Sequence, residues 1–154
     1  MALILSSPVI QNEGEFPADY TCNGKDVSPP IKISDVPQGT KSLVLIFDDP
    51  DAAKEPAGSG QTFDHWLVYN IEPIDQEIAE NSTPKGQPGK NSRGSSGYIG
   101  PCPPTFRHKY IFRLLALDTT LELGELPSKA EIEQAAESHI IEEASLTAYY
   151  QQAK

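Results

Sequence analysis

Two cysteines, Cys22 and Cys102, are too few for a disulfide-stapled miniature fold or a four-cysteine zinc site. At most one internal bridge can form. Long apolar runs are also missing: Met1-Ala2-Leu3-Ile4-Leu5, followed by Ser6-Ser7-Pro8, is far shorter than a signal-peptide core or a membrane span. The expected location is therefore the cytoplasm, without integral membrane association. Basic residues are scarce, 12 Lys and Arg against 22 Asp and Glu, and no segment gathers them into a stripe. A net charge of −10 repels a phosphate backbone, so nucleic acid is excluded as a partner. A local pocket can still take a small anion, because its donors act at short range.

Familiar catalytic signatures are absent too. Gly89-Lys90 suggests a phosphate loop, but Pro84 stands where its first glycine belongs and Asn91 replaces the Ser or Thr. Gly94-Ser95-Ser96-Gly97 has the wrong spacing for a nucleophile elbow, and no HExxH helix exists. Asn81-Ser82-Thr83 matches a glycosylation sequon, which has no meaning without secretion.

What the chain does have is a length of 154 residues, suited to one domain, and 14 prolines with 11 glycines, which demand many turns and long connections. A loop-rich β architecture follows. Residues 42–47 form a continuous apolar run, the pattern of a strand covered on both faces. Residues 64–71 and 109–117 read as further strands, with shorter ones at 31–33 and near the N-terminus. Residues 80–104 are so rich in Gly, Pro, Ser and Asn that they predict one long surface excursion forming a pocket wall. Ser128 with Glu131 makes a capping box, and Ile132, Ala135, Ala136, His139, Ile140 and Ala144 share a helical face. The chain is expected to close with that packed amphipathic helix, His139 being a partly buried structural residue on it.

Chemistry gathers at strand ends. Asp48-Asp49-Pro50-Asp51 leaves the strongest strand, although a solvated turn is the commoner meaning of such a motif. His65 opens the second strand and His108 precedes the third. Two imidazoles there can donate hydrogen bonds to phosphate or carboxylate oxygens, with Asp49 setting their tautomer. Either histidine alone fits a structural role equally well. The same trio also suits an acid and base pair or a 2-His-1-carboxylate metal site. In a reducing cytosol Cys22 and Cys102 are expected to remain free thiols. A bridge between them would close a loop of 80 residues and contribute about 4 to 5 kcal/mol in the chain-entropy view.

Taken in order, Tyr20-Thr21-Cys22-Asn23-Gly24-Lys25-Asp26-Val27-Ser28-Pro29-Pro30, Asp48-Asp49-Pro50-Asp51-Ala52, Asp64-His65-Trp66, Gly97-Tyr98-Ile99-Gly100-Pro101-Cys102-Pro103-Pro104 and His108-Lys109-Tyr110 resemble one family. It is that of the phosphatidylethanolamine-binding proteins, or Raf kinase inhibitor proteins, and the likeness is greatest to its short bacterial and archaeal branch. The resemblance implies a mainly β domain over residues 1–154, two packed antiparallel sheets with a peripheral C-terminal helix, and no cofactor, metal or catalysis. It implies a pocket for a phosphate- or carboxylate-like anion, such as a phosphoethanolamine head group, lined by Asp49, His65, Gly100, Pro101, His108 and Tyr110. Asp51 would brace the turn and Trp66 would pack beneath. A regulatory role on a kinase is the implied function, and serine protease inhibition through the exposed 80–100 loop is the alternative. The microbial branch also suggests a homodimer, and the placement of Cys22 and Cys102 beside the motifs suggests a bridge near the pocket. Two departures stand out: Ala53 where the family has proline, and Thr105-Phe106-Arg107 in place of a glycine-containing link. Phe106 and Arg107 are expected to narrow the mouth and add a cationic donor.

Overall fold

A computed structural model describes residues 2–152. Its strands are β1 (Ile4–Ser6), β2 (Gly14–Glu15), β3 (Ile31–Ser34), β4 (Ser42–Asp49), β5 (Phe63–Ile71), β6 (Gln76–Ile78), β7 (Gln87–Pro88), β8 (His108–Leu117) and β9 (Ile140–Tyr150), with one α-helix, α1 (Lys129–Ala136), before the last. They form a six-stranded sheet in the order β2-β9-β8-β4-β5-β7 and a three-stranded sheet in the order β1-β3-β6. Pairing is antiparallel except between β2 and β9.

The uninterrupted apolar run explains the layout. All of β4 is buried, because its two sets of alternate side chains enter two different cores. Leu43, Leu45 and Phe47 face the small sheet together with Trp66, Val68, Phe112 and Leu114. Val44 and Ile46 face α1 together with Leu67, Tyr69, Leu115, Ile132 and Ala136. The result is three layers: small sheet, large sheet and helix. The expected two-sheet fold and its principal strands are present.

The end of the chain differs from the expectation. The Ser128 capping box is in place, with Glu131 N donating to Ser128 Oγ and Ser128 N to Glu131 Oε1, both at 3.1 Å. The helix nevertheless stops at Ala136, and residues 140–150 pair along the whole of β8. From Ala144 onward the burial period changes from helical to alternating, with Ala144, Leu146, Ala148 and Tyr150 joining the inner core. His139 is in the link, not on a helix face, and its exposed ring contacts Asp118 Oδ1 at 2.8 Å.

The free-thiol expectation is also corrected. Cys22 and Cys102 are joined, their Cα atoms 5.5 Å apart. The long 80–104 excursion returns beside residues 21–22, where Cys22 N donates to Pro101 O at 3.1 Å, and this brings the two sulfurs together. Among the described residues no helix is long and apolar enough to cross a membrane.

Candidate functional site

The parity of the strands carries three polar side chains to one end of the inner core. On β4 the inward series Leu43, Leu45, Phe47 continues to Asp49, and on β8 the inward series Leu114, Phe112, Tyr110 continues to His108. On β5 a bulge intervenes: Phe47 pairs with Trp66 but Asp48 pairs with Asp64, which leaves His65 outside the ladder. The loop occupies the vacant edge. Ile99 N donates to His65 O at 3.0 Å, and His65 Nδ1 lies 2.7 Å from Ile99 O.

Asp49 and Asp51 then fix the chain beyond β4. Asp49 Oδ1 accepts from Ala52 N at 3.1 Å, capping a short 3-10 turn at Pro50–Lys54 whose first residue is proline. Asp51 Oδ2 accepts from Lys109 N at 2.8 Å and so ties the turn to β8. Burial alone would raise the Asp51 carboxyl, but this amide and Lys54 outweigh it and hold it below the usual aspartate range. The turn delivers Glu55, a residue that sequence reasoning did not select, onto His108.

His108 is consequently held on both sides. Its Nδ1 lies 2.6 Å from Asp49 Oδ2 and its Nε2 lies 2.6 Å from Glu55 Oε2, all three groups being buried. Thr105 Oγ1 donates to Glu55 Oε1 at 2.5 Å. Each close contact between lone-pair-bearing atoms requires a proton, so two protons serve the Asp49-His108-Glu55 chain and its net charge is −1. Burial pushes the Asp49 carboxyl above its ordinary value despite its donors. At Glu55 burial acts in the same sense, but the donors Thr105 and His108 prevail and the net shift is downward. Burial, and then the charge of Asp49, pushes the Tyr110 phenol well up.

These groups lie at one side of a cleft of about 620 Å³, lined also by Ala52, Phe63, Ser92, Arg93, Ile99, Gly100, Cys102 and Pro103. That volume suits a small ligand. Arg93 is the one lysine or arginine among its lining residues, and its guanidinium has no hydrogen bond or ion pair among the described residues. The backbone of Arg93 is set by buried Asn91, whose Oδ1 accepts from Arg93 N at 3.0 Å and Ser95 N at 3.2 Å while Nδ2 donates to Gly97 O at 3.2 Å. Gly100 is confined: a Cβ there would fall 2.1 Å from Asp26 Oδ1 and 2.7 Å from Tyr20 O.

Of the residues expected in the pocket, Asp49, His65, Gly100, His108 and Tyr110 line the cleft. Pro101 is buried behind the wall, its carbonyl engaged by Cys22 N. Trp66 is in the inner core, edge-on to Tyr98 at 5.5 Å. The expected cation at the mouth is not Arg107, which reaches Glu15 at 2.8 Å and covers the Tyr149 ring at 5.1 Å. Phe106 packs on the His108 ring, with centroids 4.6 Å apart. The 105–107 link turns Thr105 toward Glu55 and sends Arg107 outward. Arg93 and Glu55 were missed because loop residues carry no periodic signal. The available hint for Glu55 was Pro56 directly after it, so soon after Pro50. The 2-His-1-carboxylate arrangement is disfavoured by geometry, since both nitrogens of His108 are already engaged. No group of three or more His, Cys, Asp or Glu side chains suited to a metal occurs among the described residues.

Residues 6–151 match the family model described as "Phosphatidylethanolamine-binding protein". A protein of Methanothermobacter thermautotrophicus called only "UPF0098 protein" is 40% identical over 152 residues, covering 95% of this chain and 97% of that one. A Chlamydia pneumoniae relative of the same name is 40% identical over 147 residues, covering 96% and 97%. Among solved structures, a Chlamydia trachomatis protein described as a phosphatidylethanolamine-binding protein homologue superposes with a TM-score of 0.93 at 37% identity, covering 99% of both chains. Escherichia coli YbcL, described as a member of the mammalian family, gives 0.87 at 27% identity, covering 99% and 100%.

Proposed function

Because the chain belongs to the phosphatidylethanolamine-binding protein family and its inner core ends in a polar cleft, we propose that it is a non-catalytic binding protein for a small phosphate-like anion, with a regulatory role. The observation that carries the reading is His65, a 4% exposed ring at the cleft wall whose Nε2 has no hydrogen-bond partner. A buried polar atom left unpaired costs stability, and a ligand group that pairs it recovers that cost. Charge permits an anion to enter: the −1 of the Asp49-His108-Glu55 chain is offset by Arg93. The ammonium of a head group such as phosphoethanolamine has the same carboxylates to approach. Binding fits better than catalysis, because both nitrogens of His108 are occupied and neither is free to accept a substrate proton.

Calorimetry with inorganic phosphate and with O-phosphoethanolamine tests the assignment. Saturable binding at one site is expected, accompanied by a higher melting temperature, with His108→Gln weakening it at least about tenfold. An absence of heat and of any thermal shift at millimolar ligand would remove the proposal. A kinase or protease partner, and a second copy of the chain, belong to the same proposal as readers of pocket occupancy. Size-exclusion chromatography with and without phosphate checks whether association responds to ligand.

A further inference from the structure

One bond fixes the ring of His65: its Nδ1 is 2.7 Å from the Ile99 carbonyl oxygen. A carbonyl oxygen only accepts, so Nδ1 carries the proton. The rings of Phe63, Phe47 and Tyr110 surround the imidazole at 4.6, 5.2 and 5.5 Å between centroids, and its Nε2 is covered and unpartnered. Burial, assisted by the charge of Arg93, holds the imidazole down to about 4. At neutral pH, Nε2 is therefore a lone pair without a donor. The charged and titratable groups on the elements around it do not supply one. Asp49 on β4 and Glu55 after the 3-10 turn are committed to His108 on β8, Tyr110 on β8 makes no hydrogen bond to Nε2, and Arg93 reaches the cleft from the loop side. The sequence-based expectation that both histidines donate to an anion thus meets two obstacles: both nitrogens of His108 are engaged by Asp49 and Glu55, and at His65 the polarity is reversed.

We infer that the cleft selects oxyanions bearing a proton of their own, namely the singly protonated form of phosphate or of a phosphate monoester, whose P–OH donates to His65 Nε2 while Arg93 faces the remaining charged oxygens. This rests on the anion reading above and adds the ligand's chemical class. A fully deprotonated oxyanion sets acceptor against acceptor, and a phosphodiester or sulfate has no proton to give at neutral pH. A free monoester head group is thereby preferred to the same group within a diester lipid.

The test uses the wild-type protein and a ligand series: phosphate, O-phosphoethanolamine, sulfate, dimethyl phosphate and glycerophosphoethanolamine, measured by calorimetry as a function of pH. Near the second pKa of a phosphomonoester, about 6, the monoester should bind at least roughly tenfold more tightly than sulfate or dimethyl phosphate. Above that pKa its advantage should fall roughly tenfold per pH unit, as the protonated fraction does. Because every ligand meets the same titrating protein, the ratio between ligands isolates the ligand's proton. With methylphosphonate, a more basic oxyanion, the break should move to higher pH. His65→Phe should abolish the preference. Equal binding of sulfate and phosphate, or a ratio that does not vary with pH, would overturn the inference and leave the anion site standing. Glycerophosphoethanolamine binding as tightly as O-phosphoethanolamine would place the ammonium on Nε2 and overturn it as well. Failure of every oxyanion to bind would remove the anion reading itself.

Discussion

Asp48 and Asp49 are neighbours in sequence and end in opposite environments. Asp48 points to the helix face of the large sheet, where its Oδ2 lies 3.0 Å from Lys129 Nζ and 3.6 Å from Arg113 Nη2. Lys129 also reaches Asp64 at 2.8 Å, and Arg113 reaches Glu133 at 2.9 Å. Burial works against both cations, yet the surrounding carboxylates hold them above their ordinary values. Asp49 points to the inner face, where no lysine or arginine meets it and a shared proton with His108 is its compensation. The outer cluster pins α1 to the sheet, and although buried Asp64 Oδ1 has no aligned hydrogen bond there, the Lys129 ammonium at 2.8 Å balances its charge. The inner one is compact but borders an unpartnered acceptor and an open cleft. A closed ion network serves the fold, whereas a buried polar group left unpaired marks a place for something else.

That contrast can be broken in several ways. The largest effect should come from the Cys22→Ser, Cys102→Ser double variant, which frees the wall of the inner cleft: a loss of about 4 to 5 kcal/mol in chemical denaturation, with weaker phosphate binding. Unchanged affinity would mean that the wall holds its shape without the bridge. Second is acid sensitivity. The folded value of His65, about 4, lies below its unfolded 6.5, so between those limits the unfolded chain binds the proton more readily and stability falls as pH drops. The loss should reach about 3 kcal/mol by pH 4 and be absent in His65→Phe. Asp51, lowered, adds to the loss at still lower pH. Asp49, raised, has the opposite sign, its contribution being lost as pH rises through its folded value.

Third, Lys129→Met should cost about 2 kcal/mol by leaving Asp48 and Asp64 short of a cation, with phosphate affinity unaltered. A fall in affinity would show that the two faces are coupled. The smallest effect belongs to Arg107→Gln. Its ion pair with Glu15 is exposed, so stability should change by less than about 0.5 kcal/mol and anion affinity not at all.

Much of the frame was legible because burial on both sides leaves a continuous apolar run, as in β4 and the second half of β8, and partial burial leaves alternation, as in the first half of β8. The last strand was hidden because Ile132 and Ala136 begin a true helical stripe and Ile140 and Ala144 happen to extend its spacing, while pairing with β8 decides otherwise. At the site, Asp49, His65 and His108 could be read as strand ends. Glu55 and Arg93 could not, since a folded turn and an asparagine-centred loop bring them in. The tautomer of His65 was equally hidden, because it depends on the carbonyl of Ile99, distant in sequence, meeting Nδ1 at a bulge.

The most direct test of the inner-face site is the imidazole spectrum of the wild-type protein during titration with inorganic phosphate at neutral pH. The account predicts that the His65 Nε2 resonance shifts saturably, while that of His139, outside the site beside Asp118, stays in place. A His65 resonance unmoved at saturating phosphate would contradict it.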